Sequence, residues 1–151
     1  MEINKVEQLT DIHNQLLLLA DPNQLLVDDY AQRGTVYEAT EDETLVGIMV
    51  LLPTRPETIE LVNIAVAEVH QGKGIAQEMI AFALQTAKQS GFHTIEVGTG
   101  SIGFEQLYLY QKCGFRMVAI DRDFFVRHYE EAIVIENGMV LQDMVRLSQD
   151  L

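Results

Sequence analysis

The spacing of apolar positions changes several times along the chain, and each change marks an element. Over residues 6–20 and 22–32 they recur at intervals of three and four, as on one face of a helix. Asp21 followed by Pro22 reads as an N-cap and a first-turn proline for the second helix, and Gly34 stops it. Residues 35–39 and 44–52 read as strands joined by the acidic turn Glu41-Asp42-Glu43, with another turn over residues 53–56. Thr58–Val66 carries Ile, Val and Leu on both faces, the pattern of a strand in mid-sheet. A helix is predicted over 74–90, with Ile75, Met79, Phe82, Ala83 and Ala87 on its inner stripe and Gly91 at its end. Residues 94–97 form the next strand, with Gly98-Thr99-Gly100 as a loop behind it. A helix over 104–113, closed by Gly114, and a strand over 115–120 follow. Glu136-Asn137-Gly138 has the Asn-Gly signature of a tight hairpin between strands at 133–135 and 139–145. The order is that of an α/β (α+β mixed) protein with a mixed central sheet flanked by helices, its early consecutive strands antiparallel.

Composition narrows the class. A chain of 151 residues with 48% hydrophobic and 22% charged residues buries one good core, so a single domain over 1–151 is expected. The start, Met1-Glu2-Ile3-Asn4-Lys5, lacks a signal-peptide pattern, and the early apolar run 16–20 is too short to span a bilayer. The lone Cys113 fits a reducing compartment, so a cytoplasmic protein is expected. A formal net charge of -13 argues against nucleic acid and anionic membrane as partners. The same field draws in a cationic acceptor such as an amine, or serves only to keep the protein in solution.

Chemistry concentrates where the central strand meets the long helix, at Ile64-Ala65-Val66 and then His70-Gln71-Gly72-Lys73-Gly74-Ile75-Ala76. Gly72 and Gly74 let the backbone bend and come close to a ligand. The helix start points unpaired N–H groups and the positive end of its dipole at the same place, which suits an anion and a pyrophosphate best. Lys73 adds a charge there or points to solvent. A P-loop is excluded, because no Gly-Lys-Ser/Thr occurs. A dinucleotide fingerprint matches at Gly72 and Gly74 and has Glu96 near the ribose-binding position, but Gln77 stands where its third glycine belongs. The pattern Gln/Arg-x-x-Gly-x-Gly/Ala is met at every defined position by Gln71-Gly72-Lys73-Gly74-Ile75-Ala76.

With that loop the sequence resembles the GNAT superfamily of N-acetyltransferases, from about residue 44 to about residue 118. Ile64-Ala65-Val66 looks like the family's strand whose backbone pairs with the pantetheine arm. Tyr110-Gln111-Lys112-Cys113-Gly114-Phe115 looks like its Tyr-x-Lys-x-Gly-Phe segment. The resemblance implies the GNAT fold, with a mostly antiparallel sheet, and acetyl-CoA as co-substrate with no metal. It also implies direct attack of an amine, on a small molecule or a peptide, on the thioester. Gln71, Gly72, Lys73, Gly74, Ile75 and Ala76 would then hold the pyrophosphate, and Ile64, Ala65 and Val66 the arm. A backbone N–H near Val66 would meet the oxyanion. Tyr110 matches the acid that protonates the leaving thiolate; its alternative is a packing stripe of Phe104, Leu107 and Tyr110. Tyr108 points elsewhere on that helix.

Glu60 stands where some members carry a catalytic glutamate, and strand alternation puts it on one face with Val62, Ile64 and Val66. A water chain or Glu96 would do the same work. Relatives often place an asparagine seven residues before the tyrosine; Gly103 stands there, with Ser101 and Thr99 nearby to replace its contact with the CoA arm. Cys113 reads as a buried spacer, and His13, His70, His93 and His128 show no metal-ligand spacing. The aromatic and charged stretch 121–129 lines an acceptor pocket or covers a sheet edge. A non-catalytic CoA-binding regulatory module is the rival reading. Oligomeric state is not written in the sequence, and a homodimer is the commonest assembly for a small enzyme.

Overall fold

A computed structural model describes residues 1–135 and 138–151. Two compact units make up the chain, Met1–Ile95 with Leu151, and Glu96–Asp150.

In the first unit, β1 (Glu2–Lys5) precedes α1 (Asp11–Ala20) and α2 (Gln24–Arg33), followed by β2 (Thr35–Glu41), β3 (Thr44–Arg55), β4 (Thr58–Val66) and α3 (Ile75–Gln89). The strands lie in the order β1-β2-β3-β4, each pair antiparallel. The first helix starts later than its apolar spacing predicts. Residues 2–5 pair with β2, and the Val6 N–H donates to Val36 O at 2.8 Å, which commits this stretch to the sheet. Thr10 then caps α1: its hydroxyl accepts the His13 N–H, and His13 Nδ1 accepts the Thr10 N–H at 3.0 Å. Asn23, not Asp21, is the N-cap of α2, because its side chain reaches the Leu26 N–H at 3.2 Å. Asp21 instead accepts the Tyr30 hydroxyl at 2.9 Å.

The two acidic-turn residues Asp42 and Glu43 have φ of 48° and 65°, as the reversal between β2 and β3 requires. Residues 53–55, expected in a turn, continue β3. Its pairing with β2 ends at Leu51, so the N–H that Pro53 lacks is not missed on that side. Leu16, Leu17, Val27 and Tyr30 of the helices pack against Val36, Ile48, Val50, Leu52 and Ala65 of the sheet. On α3, Ile75, Met79, Ile80, Ala83 and Ala87 are buried, while Phe82 is half-buried with its ring edge against Tyr37 at 5.3 Å.

β5 (Thr94–Gly100) begins at the end of the first unit and runs into the second, where α4 (Phe104–Lys112), β6 (Arg116–Asp121), α5 (Phe124–His128) and β7 (Met144–Asp150) follow in the strand order β5-β7-β6. Gly98-Thr99-Gly100 belongs to β5 and not to a loop. A Cβ at Gly98 would stand 2.5 Å from Met144 Sδ and one at Gly100 would stand 2.6 Å from Leu141 Cδ1, so the strand needs bare backbone there. The aromatic stretch after β6 contains α5, with the Phe124 ring edge-on to Phe125 at 5.1 Å and tilted against His128 at 4.6 Å. The expected strands at 133–135 and 139–145 reduce to one antiparallel bridge, Val134–Val140, and β7 starts at Met144. Of the predicted hairpin turn, Glu136 and Asn137 lie outside the described residues. Among the described residues no helix is long and apolar enough to cross a membrane.

Candidate functional site

Between β4 and α3 the chain makes one short 3-10 turn, Glu68–His70, and then the glycine loop. Gly72 has φ of 78° and Gly74 of 82°, a left-handed geometry that a side chain adopts only under strain. Gly74 is the N-cap of α3, and no side chain caps the helix. A first turn of helix leaves N–H groups without helical partners, and here no cap takes them up. A Cβ at either glycine would meet nothing within 4 Å, so the space above the loop is open for an anion to approach the backbone. Gln71 Nε2 donates to Val66 O at 3.0 Å, which ties the loop to the end of β4. Lys73 is exposed.

Gly47 has no expected role in the sequence, yet it sets how closely α3 lies on the sheet. A Cβ there would stand 2.7 Å from Met79 Sδ and 3.2 Å from Ala65 O. Gly47 also pairs with Val66. A lone glycine inside a strand pattern is the available signal for such a contact.

Strand alternation fails at Glu60. Val50 pairs with Asn63 and Leu51 with Leu61, so Val62 is an extra residue, a β-bulge. Opposed residues share a face. Ile64 and Val66, opposite Met49 and Gly47, lie on the α3 side. Glu60, opposite Leu52, lies with Asn63 and Ala65 on the side covered by α1 and α2. The bulge therefore separates Glu60 from Ile64 and Val66, contrary to the expectation of one face.

On that side the sequence reading missed a buried polar group. Asn63, 4% exposed, donates through Nδ2 to Leu17 O at 3.0 Å and to the Tyr30 hydroxyl at 2.8 Å. Burial raises the Tyr30 phenol well above its usual range. The Asn63 hydrogen bond opposes that, and the Asp21 and Glu60 carboxylates add to it. Asparagine within an apolar strand was the signal.

In the second unit Tyr110 is 4% exposed, its ring edge against Phe115 at 5.9 Å. Burial, and then the nearby Cys113, push its phenol well above the usual range, so it is neutral throughout the physiological range. The alternative stripe with Phe104 does not form, since Phe104 is exposed. Tyr108 is exposed as well, with Lys112 Nζ 6.0 Å from its ring centre. Ser101 follows β5, and its N–H donates to Asp143 O at 2.9 Å. Gly103 is the N-cap of α4 and brings no side-chain cap. Cys113 is half-buried, its thiol pushed up chiefly by burial. Among the described residues no three His, Cys, Asp or Glu side chains gather as metal ligands would.

The family model described as Acetyltransferase (GNAT) family matches residues 6–115. The N-acetyltransferase YvbK of Bacillus subtilis (strain 168) is 51% identical over 151 residues, covering 100% of this chain and 97% of the relative. A crystal structure of a Bacillus subtilis acetyltransferase in complex with CoA superposes with a TM-score of 0.94 at 52% identity, covering 99% of this chain and 97% of that one. A GNAT family acetyltransferase from Elizabethkingia anophelis with acetyl-CoA bound gives 0.95 at 40% identity, with the same coverage of each.

Proposed function

Because the chain belongs to the GNAT family of acetyltransferases, we propose that this acetyl-CoA-dependent N-acetyltransferase acts on a cationic amine of a small molecule or peptide. The observation that carries the co-substrate site is the pair of left-handed glycines beside an uncapped helix start, with open space above both. The backbone of Gln71, Gly72, Lys73, Gly74, Ile75 and Ala76 is the proposed seat of the pyrophosphate. Ile64, Ala65 and Val66 are the proposed backbone partners of the pantetheine arm. The Ser101 hydroxyl is the proposed further donor to that arm, since the Ser101 N–H is engaged with Asp143.

The neutral amine nitrogen attacks the thioester carbonyl carbon, and a C–N bond forms as the carbonyl oxygen becomes an oxyanion. A backbone N–H near Val66 meets that oxygen. The C–S bond then breaks, and the thiolate takes a proton from the Tyr110 hydroxyl. A phenol above its usual range is a weak acid in water. The proposed transfer therefore requires the thiolate to form in a desolvated place, where its proton affinity rises in the same direction. An acceptor that arrives as an ammonium ion first gives one proton to Glu60 across ordered water, since the bulge sets Glu60 on the other face of β4 from Val66. The nitrogen's second proton leaves to solvent as the amide forms, and solvent returns one to Tyr110. What supports Glu60 is its half-buried place beside the bulge, with its charge felt at Tyr30. The net charge of -13 favours an acceptor that arrives as an ammonium ion. A lone cysteine supports a cytoplasmic setting.

A panel of amines with acetyl-CoA, read by thiol release, tests this reading. Release above the blank for at least one amine class is expected. No release with any amine, while CoA still raises the melting temperature, would make the protein a CoA-binding module instead.

A further inference from the structure

β6 is the outermost strand in the order β5-β7-β6; Arg116 to Ile120 are exposed and Asp121 is half-buried. Met117 is 51% exposed, Val118 59% and Ile120 57%. An apolar edge of that kind invites another strand; of the devices that protect an edge it carries a charge at Arg116 and the bulge at Val118, and no lysine or proline.

A bulge decides which side chains go together. Met117 pairs with Leu147 and Ala119 with Arg146, so Val118 is the extra residue. Met117 and Ile120, three apart, would alternate to opposite faces of a regular strand. Past the bulge they share one face, opposite Leu147 and Val145, which are buried. Arg116, Ala119 and Asp121 share the other face, opposite Ser148, Arg146 and Met144.

The strand reads Arg-Met-Val-Ala-Ile-Asp, and turned end for end it complements itself. The geometry points to a homodimer in which β6 of one copy pairs antiparallel with β6 of a second copy. Residue 116 then lies opposite 121 of the second copy, 117 opposite 120, and 118 opposite 119. A twofold axis normal to the sheet keeps each face on its own side. Met117 and Ile120 of both copies therefore form one apolar patch of four, continuous with the layer of Val145 and Leu147. On the other face each Arg116 meets an Asp121, a carboxylate that already binds Arg127 and lies 3.9 Å from Arg146. Without the bulge, neither the apolar match nor the charge match holds. Two copies of a chain of net charge -13 repel overall, so local complementarity has to supply the attraction.

Sedimentation velocity on the wild-type chain across the micromolar range, with Ile120→Lys and Arg116→Asp alongside, tests this. The expected result is a wild-type dimer, a monomeric Ile120→Lys at the same concentrations, and a weakened dimer for Arg116→Asp, which sets two carboxylates face to face. Circular dichroism confirms that each variant is folded; if Ile120→Lys is not, Val118→Lys takes its place and is expected to be monomeric. A wild type that stays monomeric, or a dimer that resists either the lysine or the aspartate substitution, overturns the proposal. The readout is association alone, so it is independent of whether the acyl-transfer site works.

Discussion

Gly74 and Gly91 offer a matched pair of perturbations at the two ends of α3. Their φ values are 82° and 89°, and a Cβ at either one meets nothing within 4 Å. Replacing either by alanine brings no clash, only the strain of left-handed geometry, about 1–2 kcal/mol. Part of that is offset by a stiffer unfolded chain, about 0.4–1 kcal/mol, as is usual for Gly→Ala. Each variant should therefore lose about 1 kcal/mol of stability, a drop of about 2–4 °C in melting temperature. CoA binding separates them. At Gly74, on the proposed pyrophosphate seat, the new methyl group would enter the open space through which a phosphate oxygen has to reach the backbone. One lost charge-assisted hydrogen bond costs about 1.5–3 kcal/mol, which is about ten- to a hundred-fold in Kd. Gly91 lies at the far end of the helix and has no such part. Thermal unfolding and calorimetric titration with CoA on both variants measure the two effects. Unchanged affinity in a folded Gly74→Ala, or an equal loss in Gly91→Ala, refutes the phosphate-loop reasoning.

Three further outcomes are expected. Tyr110→Phe removes one hydroxyl and keeps the ring against Phe115, so kcat should fall by about a hundred-fold with the KM for acetyl-CoA little changed; near-normal turnover returns Tyr110 to a packing role. Glu60→Gln should abolish the rising limb of kcat/KM with pH and leave CoA affinity intact, whereas the same limb at a modestly lower rate assigns the proton to water. Tyr30 and Tyr110 both have raised phenol values, so the folded state keeps protons that the unfolded state loses. Stability from this source is complete below the free phenol's range, about pH 10, and declines above it. In an alkaline titration these two should be the last of the five tyrosines to ionise, and only as the chain unfolds. Full tyrosinate absorbance with the far-ultraviolet dichroism intact would contradict their burial.

The glycine loop was legible in the sequence because its geometry resides in the backbone. Gly72 and Gly74 were recognisable as residues that admit left-handed geometry, and both adopt it. The bounds of β4 and the body of α3 were readable too, since burial on a strand or helix face imposes a local period. The first helix was overextended, because the apolar spacing of residues 6–20 does not reveal that residues 2–5 have a partner strand. Asp21 and Asn23 are both good caps by type, and the choice fell to whichever side chain was not drawn to Tyr30.

What only the tertiary structure decided is which face a side chain occupies. Alternation is a rule for unbroken pairing, and a bulge exists only relative to a partner strand. Val62 on β4 sends Glu60 to the side of α1 and α2, and Val118 on β6 brings Met117 and Ile120 together. No window of sequence contains that information, because each bulge is set by register against residues far along the chain. The same holds for Gly47, whose missing side chain matters only because Met79 of α3 lies 2.7 Å from where a Cβ would be. Local backbone chemistry therefore marked the left-handed glycine loop from the sequence, while nonlocal register and packing determined which face each neighbouring side chain takes.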